Sequence, residues 1–329
     1  MHDEMYNALE KFPDQITDAL SLAEHIKPRN IHHINKIIVA GMGGSGVSGD
    51  LLKSYFADAD VPIFVHKDYG LPKFADSSTL VFAVSYSGNT EETIHSFKDG
   101  IKAGCKILTI TSGGKLLALS EKHQIPAVKI PSGIQPRAAL AYLLFPMLKI
   151  LSNIGMYHLD NSEIEGTVKV LKNHAIKEKA SHIAKKLVNK IPIIYSSNKM
   201  YVCSYRLKTQ INENAKSMAF HHVFPELNHN EMVAYTKAKK DYHVIIFRDE
   251  DDNDRVKKRM DLTKKIIMSR GIGVSEISST GESYLRRLVL AIHLGDWISY
   301  YLALLYGVDP VDVKIIEDFK KELGEHKHG

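Results

Sequence analysis

Two short stretches carry residues of the type and spacing that grip an anion. The first, Lys36 to Asp50, reads KIIVAGMGGSGVSGD, and the second, Val81 to Thr93, reads VFAVSYSGNTEET. Each passes from β-branched and apolar residues into a glycine and hydroxyl loop, then into a helical pattern. Gly41, Gly43, Gly44 and Gly46 let the first loop turn sharply and bring its N–H groups close to a ligand. Ser85, Ser87 and Thr90 put hydroxyls where the second helix begins. Unpaired N–H groups and the positive end of a helix dipole favour an anion at both places. Two such termini on one sheet predict a single phosphate-sized ligand.

The elements that must position these loops follow from the apolar pattern. Strands are expected at Ile37–Ala40, Val61–Val65, Leu80–Val84, Lys106–Thr111 and Ala127–Ile130, alternating with helices. That alternation implies parallel crossovers in an open, doubly wound sheet, which binds ligands beyond the carboxyl ends of its strands. Residues 1–30 read as one or two helices packing on this sheet or on a second subunit. Arg137 to Ile154 reads as one long apolar helix that Pro146 should kink or split. The polar, lysine-rich segment after Gly155 reads as two amphipathic helices and holds the expected boundary between domains 1–154 and 155–329. The pattern then repeats. Strands at Ile191–Tyr195, Tyr242–Phe247 and Ile272–Ile277 accompany a serine-containing turn, Ser196-Ser197-Asn198, and helices at Met200–Met218, Asp254–Ser269, Ser283–Tyr306 and Pro310–Leu323. Two copies of one fold are implied, the second with a degraded loop. The acidic run Asp249 to Asp254 reads as a solvated loop.

Composition bounds the function. A chain of 329 residues, 44% hydrophobic and 25% charged, builds two ordinary globular domains. The formal charge of +5 is spread among acidic residues, which argues against a nucleic-acid partner. Cys105 and Cys203 can form neither a disulfide framework nor a four-ligand zinc site. The opening MHDEMYNALEKFPDQ has no leader character, and no apolar run is read as approaching the roughly 20 residues of a membrane span. A cytoplasmic protein without a membrane partner is expected.

Gly41-x-Gly43-x-x-Gly46 also matches a dinucleotide fingerprint, with Asp68 where a ribose-binding acid would sit. The hydroxyl-rich second loop and the duplicated pattern favour a sugar phosphate over a nicotinamide cofactor.

GMGGSGVSGD followed by SYSGNTEET resembles the sugar isomerase (SIS) domain, and INENAK, PELNHNE and GVDP in the second half are similar to the bifunctional phosphoglucose/phosphomannose isomerases. The resemblance covers nearly the whole chain. It implies two tandem SIS-type doubly wound α/β domains, with parallel sheets flanked by helices. The implied activity interconverts glucose 6-phosphate and mannose 6-phosphate with fructose 6-phosphate through a cis-enediol, with no cofactor and no metal. Gly44, Ser45, Ser85, Ser87 and Thr90 match the family's phosphate cradle, and Arg137 its active-site arginine. An arginine opening an otherwise apolar helix is also suited to holding a developing enediolate. Glu213 matches the carboxylate that shuttles a proton between C1 and C2, a task helped by partial burial; otherwise it is a surface acid paired with Lys216 or Lys208. His229 matches a histidine that serves ring opening in the neighbouring subunit, which implies a homodimer. His221 and His222 nearby raise the question of a metal, although the zinc ligand set of type I phosphomannose isomerases is not recognisable. Lys320 matches a lysine of the closing helix, with Lys314 and Lys321 as rivals. Val311-Asp312-Val313 lacks the threonine expected there, which leaves the epimer preference open. A non-catalytic sugar-phosphate sensor and a dehydrogenase are the rival readings; a glutamine-dependent amidotransferase lacks its N-terminal cysteine half.

Overall fold

The computed structural model of the chain describes residues 3–28, 31, 33–238 and 241–325. Two short helices, α1 (Glu4–Glu10) and α2 (Phe12–Leu22), precede a five-stranded sheet. Its strands are β1 (Lys36–Ala40), β2 (Ile63–His66), β3 (Thr79–Val84), β4 (Lys106–Thr111) and β5 (Ala127–Lys129), ordered β2-β1-β3-β4-β5 and parallel throughout. Strands β1 and β3 are apolar at successive positions because both faces are covered. On one face Ile38, Val81 and Ala83 meet Phe97 of α4 (Glu91–Lys102) and Leu116 of α5 (Gly114–Lys122). On the other, Ile37, Val39 and Phe82 join the core containing α3 (Gly43–Tyr55), α2 and α6 (Leu140–Asn153).

Helices α7 (Asn161–Leu171) and α8 (Ala175–Leu187) lead to the second half and pack against α11 (Tyr284–Tyr306). The second sheet comprises β6 (Ile191–Ser197), β7 (Phe220–Phe224), β8 (Tyr242–Asp249) and β9 (Gly273–Ser279), also all parallel. Its order, β7-β6-β8-β9, repeats β2-β1-β3-β4. Helices α9 (Tyr201–Asn214) and α10 (Asp254–Ser269) flank it, and α12 (Lys314–Glu325) closes the described chain. Buried side chains from α3, α6, α9 and α11 form one continuous core across both halves.

Four expectations change. Helix α6 runs unbroken through Pro146: the missing N–H removes one bond, but the helix is buried against α2 and α3. Arg137 lies not on that helix but in a 3₁₀ turn, Pro136–Ala138, just before it. Helix α11 is, by length and composition, apolar enough to match a membrane span, yet 78% of its apolar window is buried inside the chain and it carries buried Arg287, His293 and Asp296. The acidic run after β8 is not simply solvated. Asp249 is buried because Arg287 of α11 reaches it, Nε to Oδ2, at 2.7 Å, and Asp252 is buried beside it. By sheet order, Glu250–Asn253 occupies the place that the hydroxyl loop after β3 takes in the first half, so carboxylates fill the second half's equivalent of the anion loop.

Candidate functional site

Both loops of the first half sit at carboxyl ends of adjacent strands. Strand β1 ends at Ala40, and α3 starts at Gly43, whose φ of +52° is left-handed and suits glycine. Met42 at the N-cap supplies no side-chain cap, so the first N–H groups of α3 are left for another acceptor. The second loop leaves β3 at Val84. Gly88 is required there: a Cβ would lie 1.8 Å from the Gly113 carbonyl. Ser85 Oγ and Thr90 Oγ1 are 2.9 Å apart, and Thr90 is the N-cap of α4. The Tyr86 amide donates to Ser45 Oγ at 3.3 Å, so the two loops are in contact. Ser45 and Ser85 are buried, whereas Ser87 is exposed.

The arginine turn abuts the first loop. A Cβ on Gly44 would stand 3.0 Å from the Pro136 carbonyl and 3.3 Å from Arg137 Cα, so only glycine allows this approach without a shift. From below, the Tyr86 hydroxyl accepts the Ile134 amide at 2.9 Å and fixes the chain leading into the turn.

Arg137 is 4% exposed and reaches across to the second half. Its Nε donates to Asn214 Oδ1 at 2.7 Å, one terminal nitrogen to the Pro310 and Val311 carbonyls, and the other to Gln135 Oε1 at 3.3 Å. That last nitrogen also lies 3.6 Å from Glu213 Oε2. Burial lowers the Arg137 pKa, and the Glu213 carboxylate counters this. Glu213 lies on the last turn of α9 with its side chain 32% exposed. Its partner is therefore Arg137 of the first half, not the lysines that a surface reading offered.

Lys216 was passed over as a site residue. It takes a left-handed φ of +53° just beyond α9, and its ammonium donates to the Glu213 and Asp309 carbonyls, each at 2.7 Å. A cation at a helix C-terminus is well placed electrostatically. Burial, followed by the Arg137 charge, pulls its pKa down. Lys67, after β2, was also missed. It pairs with the buried Asp50 carboxylate at 2.5 Å, stands 4.5 Å over the Tyr205 ring and borders Gly46. Neither lysine has a sequence signature. Their placements arise from left-handed backbone at Lys216 and from a contact between the two halves at Lys67.

His229 and Lys320 are not brought to this cluster within one chain. His229 ends a 3₁₀ turn, Glu226–His229, and is exposed. Its flanks are fixed from behind. Leu227 and Tyr235 are buried, Asn228 donates to Thr263 Oγ1 at 2.8 Å, and the Tyr195 hydroxyl donates to Glu231 at 2.5 Å. Lys320, like Lys314 and Lys321, is exposed on α12, whose Ile315, Phe319 and Leu323 are exposed as well. His221 packs edge-on against Tyr201 and Tyr205, and burial pushes its pKa down to about 4. His222 accepts the Val223 amide at 2.8 Å. Among the described residues no group of three His, Cys, Asp or Glu side chains could hold a metal.

Comparison with known proteins places this geometry. Residues 30–143 match the SIS domain, and residues 176–323 match the bacterial phospho-glucose isomerase C-terminal SIS domain. A bifunctional phosphoglucose/phosphomannose isomerase from Caldicellulosiruptor bescii is 41% identical over 98% of this chain and 100% of its own. Its counterpart from Aquifex aeolicus is 38% identical over 98% and 99%. The chain belongs to the bifunctional phosphoglucose/phosphomannose isomerase family. The chain is also 33% identical to a D-glucosamine-6-phosphate 4-epimerase from Sulfolobus acidocaldarius, over 76% of this chain and 79% of that one. In fold, the chain resembles the crystal structure of a putative phosphosugar isomerase from Clostridium difficile, with a TM-score of 0.72 at 19% identity, covering 97% of this chain and 98% of that one.

Proposed function

We propose that the chain is an aldose–ketose isomerase that interconverts glucose 6-phosphate, and mannose 6-phosphate, with fructose 6-phosphate. The observation that carries this reading is the meeting of Glu213 Oε2 and Arg137 at 3.6 Å, with Arg137 Cα packed directly on the Gly44 loop. The phosphoryl group sits in the loops of Gly44, Ser45, Ser85, Ser87 and Thr90, and the sugar carbons extend toward the Arg137–Glu213 pair. Glu213 takes the proton from C2 of the open-chain aldose, and returns it to C1 after the hydroxyl proton has passed from O2 to O1, so that the C2 carbonyl forms. As it takes the C2 proton, the negative charge leaves its carboxylate and appears on the enediolate oxygen. Arg137 stays charged beside the carboxylate, and its pairing passes from Glu213 to the enediolate as the proton is taken up.

Ring opening precedes this and needs a donor to the ring oxygen and an acceptor for the C1 hydroxyl proton. His229 takes part from a second copy of the chain, with Lys320 assisting. Outward exposure of His229 on a turn braced from behind supports this assignment, as do exposed Val233, four residues on, and the exposed apolar residues of α12. The working form is then a homodimer acting on a cytoplasmic sugar phosphate. Lys216 beside Glu213 is the alternative lysine.

A coupled assay with glucose 6-phosphate and mannose 6-phosphate tests the reading, with fructose 6-phosphate as the common product. Glu213→Gln should lower kcat by at least about a thousandfold while retaining sugar-phosphate affinity. Full turnover in that variant would remove Glu213 from the mechanism. The 4-epimerase relative makes a second arm useful: product analysis by NMR after incubation with glucosamine 6-phosphate, in which inversion at C4 without aldose–ketose conversion would replace the isomerase reading.

A further inference from the structure

Two arginines are buried side by side where the halves meet, and they are treated differently. Arg206 is 1% exposed and closed by a carboxylate: Nε donates to Asp296 Oδ1 and a terminal nitrogen to Oδ2, both at 2.9 Å. Gln210 adds a third donor to Asp296 at 3.1 Å. Arg137 has the same burial but no such closure. Its Nε faces an amide oxygen, that of Asn214, and its other hydrogen-bond acceptors are the Gln135 amide and two backbone carbonyls. Among the described residues, the only carboxylate within 4 Å is that of Glu213. Its field is otherwise set by more distant Asp309 and Glu4, against the like charge of Arg206.

The Asn214 amide cannot turn freely. Its Nδ2 donates to Ser299 Oγ at 2.9 Å, and Ser299 Oγ donates in turn to the Asp296 carbonyl at 2.7 Å. Ser299 therefore acts as acceptor for Nδ2, which keeps Oδ1 toward Arg137. Arg206, Gln210 and Asn214 recur every fourth residue along α9, so one buried polar stripe supports the turn, and Arg206 also donates to the Arg137 carbonyl at 2.6 Å.

We propose that Asn214 is a positioning residue that holds the Arg137 guanidinium in place without neutralising it, leaving its charge to the reacting sugar. The inference rests on the isomerase reading. When Glu213 accepts the C2 proton it becomes neutral, and the enediolate is then the anion left to pair with Arg137. An aspartate at 214 would stay ionised 2.7 Å from Nε and keep the guanidinium satisfied at every step. The carboxylate has no proton for Ser299 Oγ, so the Ser299 hydroxyl turns from the Asp296 carbonyl to donate to it; apart from that exchange the shape is kept, and the change takes the Arg137 charge away from the transition state.

The test compares wild type with Asn214→Asp against two ligands: 5-phospho-D-arabinonate, whose carboxylate stands where the enediolate charge forms, and D-arabitol 5-phosphate, which is neutral there. Wild type should prefer the aldonate. Asn214→Asp should lose that preference by on the order of a hundredfold, with arabitol phosphate affinity unchanged and kcat lowered by a similar factor at constant KM. Should Asn214→Asp not fold, Ser299→Ala frees the amide to turn without adding charge, and kcat should fall about tenfold with arabitol phosphate affinity kept. A variant that retains both aldonate preference and kcat overturns the proposal alone, as does equal loss of both ligands. Wild type that binds neither compound overturns the isomerase reading and the proposal with it.

Discussion

The Tyr86 amide donates to Ser45 Oγ at 3.3 Å, and this bond joins the glycine loop after β1 to the hydroxyl loop after β3. Ser45→Ala removes the acceptor and leaves a buried N–H unpaired, so the loops lose their mutual register at the place where a phosphoryl group would enter. Loss of one such bond is worth about 1–2 kcal/mol, or roughly tenfold in affinity. Inorganic phosphate should compete about tenfold less well in Ser45→Ala, with KM for glucose 6-phosphate raised in parallel and kcat changed less. An unchanged inhibition constant for phosphate would remove Ser45 from the cradle.

The Arg206–Asp296 pair predicts a stability effect that depends on whether one partner is removed or both are replaced. Burial pushes the Asp296 carboxyl up, against the pull of Arg206 and Gln210. Asp296→Asn leaves a buried guanidinium without its counter-charge and should cost about 3–5 kcal/mol. Replacing both residues, Arg206→Met with Asp296→Leu, should recover most of that loss. Urea unfolding of wild type, the single variant and the double variant measures both numbers. A single variant as stable as wild type would mean that water reaches the pair.

Much of the first half could be read from the chain, because its strands are buried on both faces and its loops must be glycine and serine to make their turns. Gly88 is required by a close approach that any side chain would obstruct, and Gly44 by one that a side chain could share only if the Arg137 turn shifted. The second half was harder to read for electrostatic reasons. Arg206, Gln210 and Asn214 look like the wet face of an amphipathic helix, and only the carboxylate and hydroxyl of α11 make that face a buried one. The same holds for the acidic run after β8, where Arg287 arrives from far along the chain to neutralise Asp249. Glu213 could be named from its motif, but its partner could not, since Arg137 comes from the other half. No local pattern announces that Lys216 turns back, through a left-handed residue, onto the carbonyl of Glu213.

Three histidines, His243 and His293 buried and His221 half-buried, predict how stability falls in mild acid. Burial lowers the pKa of His221 and His243 to about 4 and that of His293 to about 3. His293 is held as an acceptor by the Trp297 N–H at 3.0 Å, and His243 shares a hydrogen bond with Ser275 Oγ at 2.9 Å. The unfolded chain binds these protons near pH 6.5, the folded chain only well below it. Their stability contribution is therefore fully present above about pH 6.5 and declines as pH falls toward 4, by about 1.4 kcal/mol per pH unit for each histidine. Urea midpoints between pH 6.5 and 5 should drop steadily, and His243→Asn should flatten that slope by about a third. A slope indifferent to this substitution would show that His243 takes up its proton in the folded chain.

The position of His229 makes the oligomer testable without a structure of it. Its turn is locked by buried Leu227 and Tyr235 and by the bond from Asn228 to Thr263, so the imidazole is directed outward on a rigid mount. Suppose that each site combines Glu213 of one copy with His229 of another. Glu213→Gln and His229→Asn are then each inactive alone, but a mixed dimer contains one site with both defects and one with neither. Equal amounts of the two variants, exchanged at random, place half of the chains in mixed dimers, and half of those sites are intact. About a quarter of the wild-type activity should return, rising slowly with the rate of subunit exchange. A geometry in which His229 serves its own chain gives no recovery at any mixing ratio, because every site then carries one defect. Sedimentation of the mixture separates that outcome from a simple failure to associate, since exchange without recovery requires dimers that form and remain inactive.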